Sequence, residues 1–573
     1  MKRIISQARI VVSSLIALTC GLTSGYAMPP HPGGSGSDAA PKVQESYYVQ
    51  HLDELHARGV CSADDFFLNN TAAKLTDGKA PAITGPFRVL AILVEFSDDT
   101  NKVAATYFDS LVFGTTGSTV KNYFSEVSYT QLDLLTVNLP SALGWRTAPQ
   151  TYAYYVGGAQ GLGSYPNNSQ KLVEDLVDQV DPVVNFANYD NDGDGYVDVL
   201  LVIHAGTGAE FSGSANDIWS HKWAISPRSK DGKFISDYTV QPEYWQNPGD
   251  MTIGVYSHEL SHGFGLPDLY DTDNSSYGVG RWCIMGYGSW NGPGGMGGSP
   301  SHPCAWSRAQ MGFVTPTNVA ANITGQSIAS VESGGPIFRL WTSGALGTEY
   351  FLVENRQRTG YDTYLPSAGL LIWHIDDLKT GNAQEWYPGQ PGANHSLVAL
   401  EQADGLFELE HKTDIGDAAD PFPGSGSVTA FNAVSTPNSN SYLSGNSFVA
   451  VSNISASAPT MQADLIVGLA AGANDPPDQL PISIDLSQNY PNPFNPSTQI
   501  EFSLSDSGPA RLEIFNLLGQ KVRTLVDGRE LSGGSTVVWD GTTDAGTEVS
   551  SGVYMYRLTV GDRSMVRKMM LVR

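Results

Sequence analysis

Cysteine, basic residues and long apolar runs are all scarce in this chain of 573 residues. With four cysteines, disulfide bonds cannot be the main support of the fold, which has to rest on hydrophobic cores. Lysine and arginine number 32 against 58 aspartates and glutamates, which gives a net charge of −26. This charge disfavours nucleic acid and anionic lipid as partners, and it favours cations such as calcium. No Gly-x-Ser-x-Gly sequence is present, which argues against a serine hydrolase.

The N-terminus has a basic start, an apolar centre and a small-residue end. This pattern over residues 1–27 is typical of a secretory signal peptide that is cleaved after Ala27. The alternative, a membrane anchor, is disfavoured because serine and threonine interrupt the apolar centre. No later apolar run reaches the roughly 20 residues that cross a bilayer. We therefore expect an exported protein, secreted or at the cell surface, with no membrane span after cleavage.

Apolar periodicity divides the rest of the chain into an α/β region and two β-rich regions. Apolar runs predict buried strands at 87–96 and 197–206, and one-sided apolar faces predict helices at 119–129 and 170–180. This alternation predicts an α/β or α+β domain, and the short strands that follow it predict β domains. The predicted organisation is a signal peptide at 1–27, a propeptide at 28–84, an α/β domain at 85–315, a β-rich domain at 316–467, a linker at 468–481 and a β-sandwich at 482–573.

The stretch SHELSHGFGLPD, residues 257–268, carries the chemistry. On a helix, His258 and His262 lie one turn apart on one face, where both imidazoles can bind one metal ion. Glu259 then lies beside the metal and suits a general base for water, while Asp268 can return after a glycine turn as a third ligand. The alternative is a surface helix whose match to a metal motif is accidental. The residue types favour a zinc site.

Several stretches resemble the immune inhibitor A family of secreted bacterial zinc metallopeptidases, which is metzincin-like. They are HELSHGFGLPDLYDTD, WCIMGYGSW, FRVLAILVEFSDD, KNYFSEVSY, YDNDGDGYVD, DIWSHKW and YLPSAGLLIWHID, and they span roughly residues 85 to 465. The resemblance implies a catalytic zinc ion bound by His258, His262 and Asp268, with Glu259 as the catalytic base. It also implies a methionine turn at Met285.

Tyr287 follows Met285 at the position where some metzincins place a tyrosine that stabilises the transition state. An aromatic side chain that only packs is the alternative. The function expected from these features is that of a secreted zinc endopeptidase, made as a proenzyme, that acts on proteins or peptides. The main alternative is a non-catalytic surface or adhesion protein on a protease-like fold, which would not need Glu259. The third hypothesis is a zinc hydrolase that acts on bonds other than peptide bonds.

YDNDGDGYVD, residues 189–198, predicts a structural calcium site. Alternate carboxylates around a glycine turn converge on a cation that prefers oxygen ligands. The expected ligands are Asp190, Asp192, Asp194, the Tyr196 carbonyl and Asp198. Leu201 replaces the glutamate that completes an EF-hand, so a hydrated acidic turn is the alternative. GDAADPFPG, residues 416–424, could hold a second ion, although it favours an ordinary turn.

Three cysteines follow the predicted signal peptide. Cys61 lies in the predicted propeptide, where its thiolate could occupy the open zinc position and keep the enzyme latent. Cys283 and Cys304 would then be the natural disulfide pair. A free buried thiol or a different pairing is the alternative.

The C-terminal stretches NYPNPFNPST and SSGVYMYRLTV resemble sorting or surface-attachment domains of secreted bacterial proteins. That resemblance implies an immunoglobulin-like β-sandwich, and contact with secretion machinery of the type IX kind. A carbohydrate- or protein-binding sandwich is the alternative.

Overall fold

The chain divides into two compact units, Met1–Ala470 and Ala471–Arg573. The computed structural model describes residues 26–31, 83–272, 275–382, 386–388, 390, 392–443, 445–468, 484–516, 520–560 and 563–572. Among these residues, no helix is long and apolar enough to cross a membrane.

A six-stranded mixed sheet forms the centre of the first part of unit one. The strands there are β1 (Tyr26–Ala27), β2 (Gly85–Arg88), β3 (Leu90–Glu95), β4 (Leu132–Leu135), β5 (Arg146–Thr147), β6 (Leu200–His204), β7 (His221–Lys230) and β8 (Lys233–Pro242). The sheet order is β1-β7-β8-β6-β3-β5, while β2 and β4 pair separately. β3, β6 and β8 run parallel, whereas β7 is antiparallel to β8 and to β1. β6 is buried along its whole length, as a continuous apolar run in a covered sheet should be.

Helices cover this sheet. They are α1 (Ala105–Phe113), α2 (Val120–Val127), α3 (Pro140–Leu143), α4 (Tyr152–Val156), α5 (Ser169–Val180), α6 (Ala209–Ser212), α7 (Ile253–Gly263) and α8 (Ala305–Gln310), with 3-10 turns at Phe186–Tyr189, Gly280–Trp282, Tyr287–Trp290 and Pro293–Gly295. The two predicted helices are α2 and α5. Each begins at a side-chain cap: Thr119 accepts the Asn122 N–H, and Asn168 accepts the Lys171 N–H.

Two local features differ from the sequence-based expectation. The strand predicted at 87–96 breaks at Val89, so that its first part pairs with β4 and its second part joins the main sheet. The β7–β8 hairpin was not predicted. Asp231 and Gly232 make its turn with φ of 52° and 75°, and an Asp-Gly pair is a hairpin signal that could have revealed it.

The predicted β-rich region shares a core with the α/β region. Its strands are β9 (Thr317–Asn318), β10 (Ile323–Ala329), β11 (Phe338–Leu340), β12 (Glu349–Arg356), β13 (Gly369–Asp376), β14 (Val398–Leu400), β15 (Asn440–Ser441), β16 (Gly445–Asn446), β17 (Ala450–Ser452) and β18 (Thr460–Ile466), with 3-10 turns at Val331–Ser333, Thr342–Gly344, Gly360–Tyr364 and Gly392–Asn394. The sheet β14-β13-β12-β11-β9 has two apolar faces. On β12, Leu352 packs into the core of the α/β region, while Phe351 and Val353 pack into a second core with β10, β17 and β18. Alternation along the strand thus joins the two regions.

Unit two is all β. Its strands are β19 (Ile484–Leu486), β20 (Thr498–Asn516), β21 (Lys521–Trp539), β22 (Gly552–Val560) and β23 (Arg563–Leu571). β20 pairs with β19, β21 and β22, and β22 pairs with β23, all antiparallel. Trp539, Leu512 and Tyr556 are among the buried residues of a separate core. This unit therefore has its own hydrophobic support.

Candidate active site

Helix α7 is buried and carries the predicted metal motif. Every residue from Ile253 to His262 is buried, so the alternative of a surface helix is wrong. The chain leaves the helix through Gly265, whose φ of 89° lies in the left-handed region that glycine adopts without a steric penalty. This turn brings Asp268 back towards the two histidines.

Three atoms that can bind a metal ion converge at the end of α7. The Nε2 atoms of His258 and His262 are 3.1 Å apart, and Asp268 Oδ1 lies 3.2 and 3.3 Å from them. Each histidine directs Nδ1 at a backbone carbonyl, of Ile284 at 2.8 Å and of Leu266 at 2.7 Å. Because a carbonyl only accepts, Nδ1 of each ring carries a proton and donates it, which leaves Nε2 directed at the centre.

Burial and mutual proximity shift the pKa values of the predicted metal ligands. Burial lowers the pKa of His262, although the Asp268 carboxylate acts in the opposite direction. Burial by itself would raise the pKa of Asp268, but the two histidines outweigh it and lower that pKa. The arrangement therefore favours a neutral His262 imidazole beside an ionised Asp268 carboxylate, the forms that bind a divalent metal ion.

Glu259 is fully buried next to this centre. Neither of its carboxyl oxygens accepts a hydrogen bond from the described residues. Burial, with smaller contributions from Asp268 and Glu210, raises its pKa well above the usual value for glutamate. A buried carboxyl without partners is costly unless it has a function, and one with a raised pKa suits proton transfer.

The residues after the motif surround the centre. Met285 is buried, and its carbonyl accepts the Leu269 N–H at 2.8 Å, while its neighbour Ile284 holds His258. Tyr287 packs its ring at 5.3 Å from that of Tyr277 and 6.3 Å from that of Tyr270.

Tyr270 was not predicted to belong to the site. It is fully buried, and burial, then the nearby Asp268 and Glu259, raises its pKa well above the usual value. No spacing rule marks this residue, since its proximity comes from the turn at Gly265.

An N-terminal segment, residues 26–31, lies against this site. Tyr26 and Ala27 form β1, which pairs antiparallel with the edge strand β7. Met28 is completely buried, and its backbone approaches the Glu259 carboxyl without meeting the geometry of a hydrogen bond, which partly offsets the effect of burial on the pKa. The bond predicted to be cleaved, Ala27–Met28, thus lies within the segment. The indoles of Trp219 and Trp290 donate hydrogen bonds to this segment. Both residues lie in stretches that carry the family resemblance, but the sequence alone did not predict a role for them.

The predicted calcium ligands are brought together only in part. Carboxylate oxygens of Asp190, Asp192 and Asp194 lie within 4.8 Å of one another. Asp190 is also paired with Lys233 at 2.5 Å, so part of the negative charge is already neutralised. Asp198 instead accepts the backbone and side-chain N–H groups of Asn191 at 2.7 and 3.0 Å.

A second carboxylate group includes part of the 416–424 stretch. Asp417 and Asp420 meet Asp404 there. Asp420 accepts the Trp282 indole N–H at 2.9 Å and the Asp417 N–H at 3.0 Å. Burial, with the neighbouring carboxylates, raises the pKa of Asp420 to about 7. Its hydrogen bonds fit the expected turn.

The predicted disulfide does not form. Cys283 and Cys304 are both free and buried. Cys283 Sγ accepts the Cys304 N–H at 3.2 Å, and Cys304 Sγ lies 3.3 Å from Ser307 Oγ. Polar groups thus surround both thiols. Cys61 lies outside the described residues.

The site combines two histidines, a carboxylate and an adjacent glutamate, a set of groups that fits a metallopeptidase. Residues 84–314 match the family model of the "Immune inhibitor A peptidase M6, catalytic domain", which confirms the resemblance stated from the sequence over this region. Residues 492–564 match the "FlgD Ig-like domain" model. These two regions are therefore similar to a peptidase M6 catalytic domain and to an Ig-like domain.

Curated relatives support the same class. The chain is 31% identical over 274 residues to the pre-pro-metalloprotease PrtV of Vibrio cholerae serotype O1, covering 39% of this chain and 29% of PrtV. It is 31% identical over 245 residues to Immune inhibitor A of Bacillus thuringiensis subsp. alesti, covering 34% of this chain and 33% of that protein. The chain thus spans about a third or less of these relatives.

Two solved structures from Porphyromonas gingivalis show a weaker likeness. Dimeric latent PorU is 20% identical with a TM-score of 0.16, over 22% of this chain and 12% of PorU. PorZ, a surface component of the type-IX secretion system, is 18% identical with a TM-score of 0.12, over 22% of this chain and 15% of PorZ. At these scores the likeness supports no conclusion about fold or function.

Proposed function

We propose that this chain is an exported zinc endopeptidase that hydrolyses peptide bonds in proteins. The observation that carries the proposal is the convergence of the His258, His262 and Asp268 atoms beside the unpartnered carboxyl of Glu259. A structural metal site would need no such carboxyl. Export is supported by the signal-like sequence of residues 1–27.

The spacing of the three atoms fits zinc. Zinc binds histidine nitrogen and carboxylate oxygen at about 2.0–2.2 Å, and tetrahedral angles then separate the ligand atoms by about 3.3 Å. The separations here lie between 3.1 and 3.3 Å. Zinc, when bound, would polarise the peptide carbonyl and acidify water at its open position.

Glu259 moves the protons in this proposal. Its raised pKa makes it a good acceptor for the proton of the attacking water, since it binds that proton readily in a buried site. The protonated carboxyl then donates to the amide nitrogen of the leaving group. No covalent bond forms between the enzyme and the substrate.

The decisive experiment compares the wild type with Glu259→Gln, after removal of the propeptide, on an unfolded protein substrate. Both proteins should bind about one zinc ion, and only the wild type should cleave. If both bind zinc and neither cleaves, the peptidase proposal fails, and the rivals are a non-catalytic surface protein and a zinc hydrolase of other bonds. Cleavage by Glu259→Gln at the wild-type rate would refute the role of the glutamate.

Two tyrosines compete for the role of transition-state stabiliser. Tyr287 was predicted for it, while the nearby carboxyls of Asp268 and Glu259 contribute to the raised pKa of Tyr270. We propose Tyr287 and use Tyr270→Phe as the matched control. Loss of an interaction made only in the transition state lowers kcat with KM unchanged, so a kcat loss of about ten-fold or more in Tyr287→Phe alone would support the proposal. The same loss in Tyr270→Phe alone would transfer the role.

The N-terminal segment supports the expectation of a proenzyme. Residues 28–31, which follow the predicted cleavage site, lie beside Glu259, where a substrate would have to bind. Removal of the propeptide should therefore raise the cleavage rate. The Cys61 latency proposal has a separate test: Cys61→Ser should become active prematurely, and an unchanged activation rate would reject it.

We propose that Asp190, Asp192 and Asp194 bind calcium, with the Tyr196 carbonyl. Their convergence supports the proposal, whereas the Asp190–Lys233 pair opposes it. Calcium should raise the melting temperature of the wild type but not of Asp192→Asn. An equal response, or none, in both proteins would reject this site.

We also propose that unit two serves sorting or surface attachment. Its separate core supports an independent role for it. Deletion of residues 482–573 should leave peptide cleavage intact and change the amount of protein at the cell surface. An unchanged distribution would reject the sorting role.

A further inference from the structure

The N-terminal segment contacts the peptidase region through its backbone and through the buried side chain of Met28. The Met28 N–H donates to the Ser220 carbonyl at 3.1 Å, and the indoles of Trp219 and Trp290 donate to the carbonyls of Met28 and Pro29 at 2.8 and 3.0 Å. The prolines at 29 and 30 have no N–H to offer. These backbone hydrogen bonds do not depend on residue type, so they match an extended peptide in the way that strand addition at a sheet edge does.

The side chain of Glu210 fixes the position of Ser220. The buried Glu210 carboxyl accepts the Ser220 N–H at 3.0 Å and the Ser220 hydroxyl at 2.6 Å. The Glu210 carbonyl accepts the His31 N–H at 2.9 Å. Met28 and His31 are therefore both held by the stretch between Glu210 and Ser220.

His31 supplies the one side-chain contact with evident selectivity. Its ring meets Trp290 edge-on at 4.7 Å and Phe211 at 5.1 Å. Nε2 lies 3.0 Å from the Gly295 carbonyl, to which it must donate because a carbonyl only accepts. Burial lowers the pKa of His31, which favours the neutral ring.

The pocket does not depend on His31 for its shape. Trp245 packs behind it, 4.9 Å from Trp290 and 5.8 Å from Phe211, and both tryptophans are only 2% exposed. Aromatic walls with a carbonyl acceptor between them fit a flat side chain that carries an N–H group. An aliphatic side chain would leave the Gly295 carbonyl without this donor.

We propose that the pocket of Phe211, Trp290 and the Gly295 carbonyl is a specificity subsite, and that it selects histidine in substrates three residues C-terminal to the residue that takes the place of Met28. This inference rests on the proposed peptidase function, since it assigns substrates to the groove that the N-terminal segment occupies. The segment is then a substrate-like occupant of its own enzyme.

The test uses two acetylated and amidated peptides of the sequence of residues 26–33, YAMPPHPG and its analogue with alanine for histidine. Calorimetry measures their binding to the full-length, zinc-loaded Glu259→Gln protein, in which the chain's own segment competes equally with both. Two ring contacts and one hydrogen bond should make the histidine peptide bind about ten-fold more tightly, equivalent to about 1.4 kcal/mol.

Phe211→Leu, combined with Glu259→Gln, is the matched variant. It should reduce the ratio of the two affinities from about ten to about two, while binding of the alanine peptide shows that the groove is intact. A ratio near one in the protein with Phe211, or a ratio that Phe211→Leu does not alter, would overturn the subsite.

A second measurement separates this inference from the peptidase proposal. The activated wild type should be inhibited by the two peptides, when it cleaves an unfolded protein, with the same ten-fold ratio. If the wild type cleaves nothing but the binding ratio is ten, the peptidase proposal fails and the pocket remains as a peptide-binding site. If cleavage occurs and both peptides inhibit equally, substrates do not use the pocket, and the subsite is rejected.

Discussion

Helix α7 approaches the loop beyond the methionine turn so closely that Gly254 cannot be replaced without movement. A Cβ atom at Gly254 would lie 2.1 Å from the Ser289 carbonyl oxygen and 2.9 Å from Gly297 Cα. Since real Cβ contacts essentially never fall below 3.0 Å, the Ser289 oxygen and α7 would have to separate by about 0.9 Å. Both partners are backbone, so no side-chain rotation can relieve the contact.

We therefore expect Gly254→Ala to destabilise the protein. Overpacking in a close-packed interior costs about 1–3 kcal/mol, and the backbone contact favours the upper end. Alanine gains up to about 1 kcal/mol over glycine from helix propensity. The free energy of unfolding should thus fall by about 2 kcal/mol, measured from the urea midpoint at an unchanged slope.

Gly263→Ala is the matched control because it lies on the same helix. Its Cβ would meet only side-chain atoms of Val199, at 3.2 to 3.3 Å, and a shift of a few tenths of an ångström relieves such contacts. Its free energy of unfolding should stay within about 1 kcal/mol of the wild type.

Gly254→Ala should also affect the metal centre. His258 lies one turn after Gly254, and its Nδ1–H donates to Ile284 in the loop that would be displaced. Perturbing such a partner typically weakens metal binding about 10- to 100-fold. Zinc retention against a chelator measures this effect. Equal stability and equal zinc retention in the two alanine variants would refute the argument from close approach.

Two further substitutions test buried charges in the β-rich region. His374 lies between the carboxylates of Glu349 and Glu401 at 3.0 and 3.1 Å. Burial alone would lower its pKa, but the two carboxylates outweigh burial and raise the pKa above the usual 6.5. The protonated imidazole therefore stabilises the folded protein fully below about pH 6.5, and this stabilisation is lost as the pH rises through the higher folded-state pKa. Thermal unfolding should show His374→Gln to be destabilised most at pH 6 and least at pH 9, and a difference that grows with pH would contradict this sign. Arg356 is fully buried and binds both carboxylate oxygens of Asp362 at 2.7 and 2.8 Å. Arg356→Met should therefore lower the free energy of unfolding by about 3–5 kcal/mol, because it leaves the buried Asp362 charge uncompensated. A decrease below about 1 kcal/mol in urea unfolding would contradict this prediction.

Local information in the sequence was enough to predict the elements that carry the chemistry. The His-Glu-x-x-His spacing places both imidazoles on one face of any helix, because that face is set by 3.6 residues per turn. The apolar stripe of 170–180 and the cap at Asn168 define α5 in the same local way. These features depend on residues within a few positions of one another.

Contacts between distant residues decided the rest. The break at Val89 reflects the pairing of β2 with β4, whose partner residues lie 47 positions away. Asp198, predicted to face a calcium ion, is engaged by Asn191, and Cys283 accepts a backbone N–H from Cys304. In each case the partner is set by packing, which a pattern of residue types does not encode.

The amino-acid sequence by itself determined the composition of the metal motif, its helix and the family resemblance, because short-range periodicity and residue chemistry suffice for these. Only the tertiary structure decided that Asp268 meets His258 and His262, that Glu259 is buried without a partner, and that His31 lies between Phe211 and Trp290. The physical reason is that desolvation and convergence are properties of packed neighbours, brought together only when the chain folds.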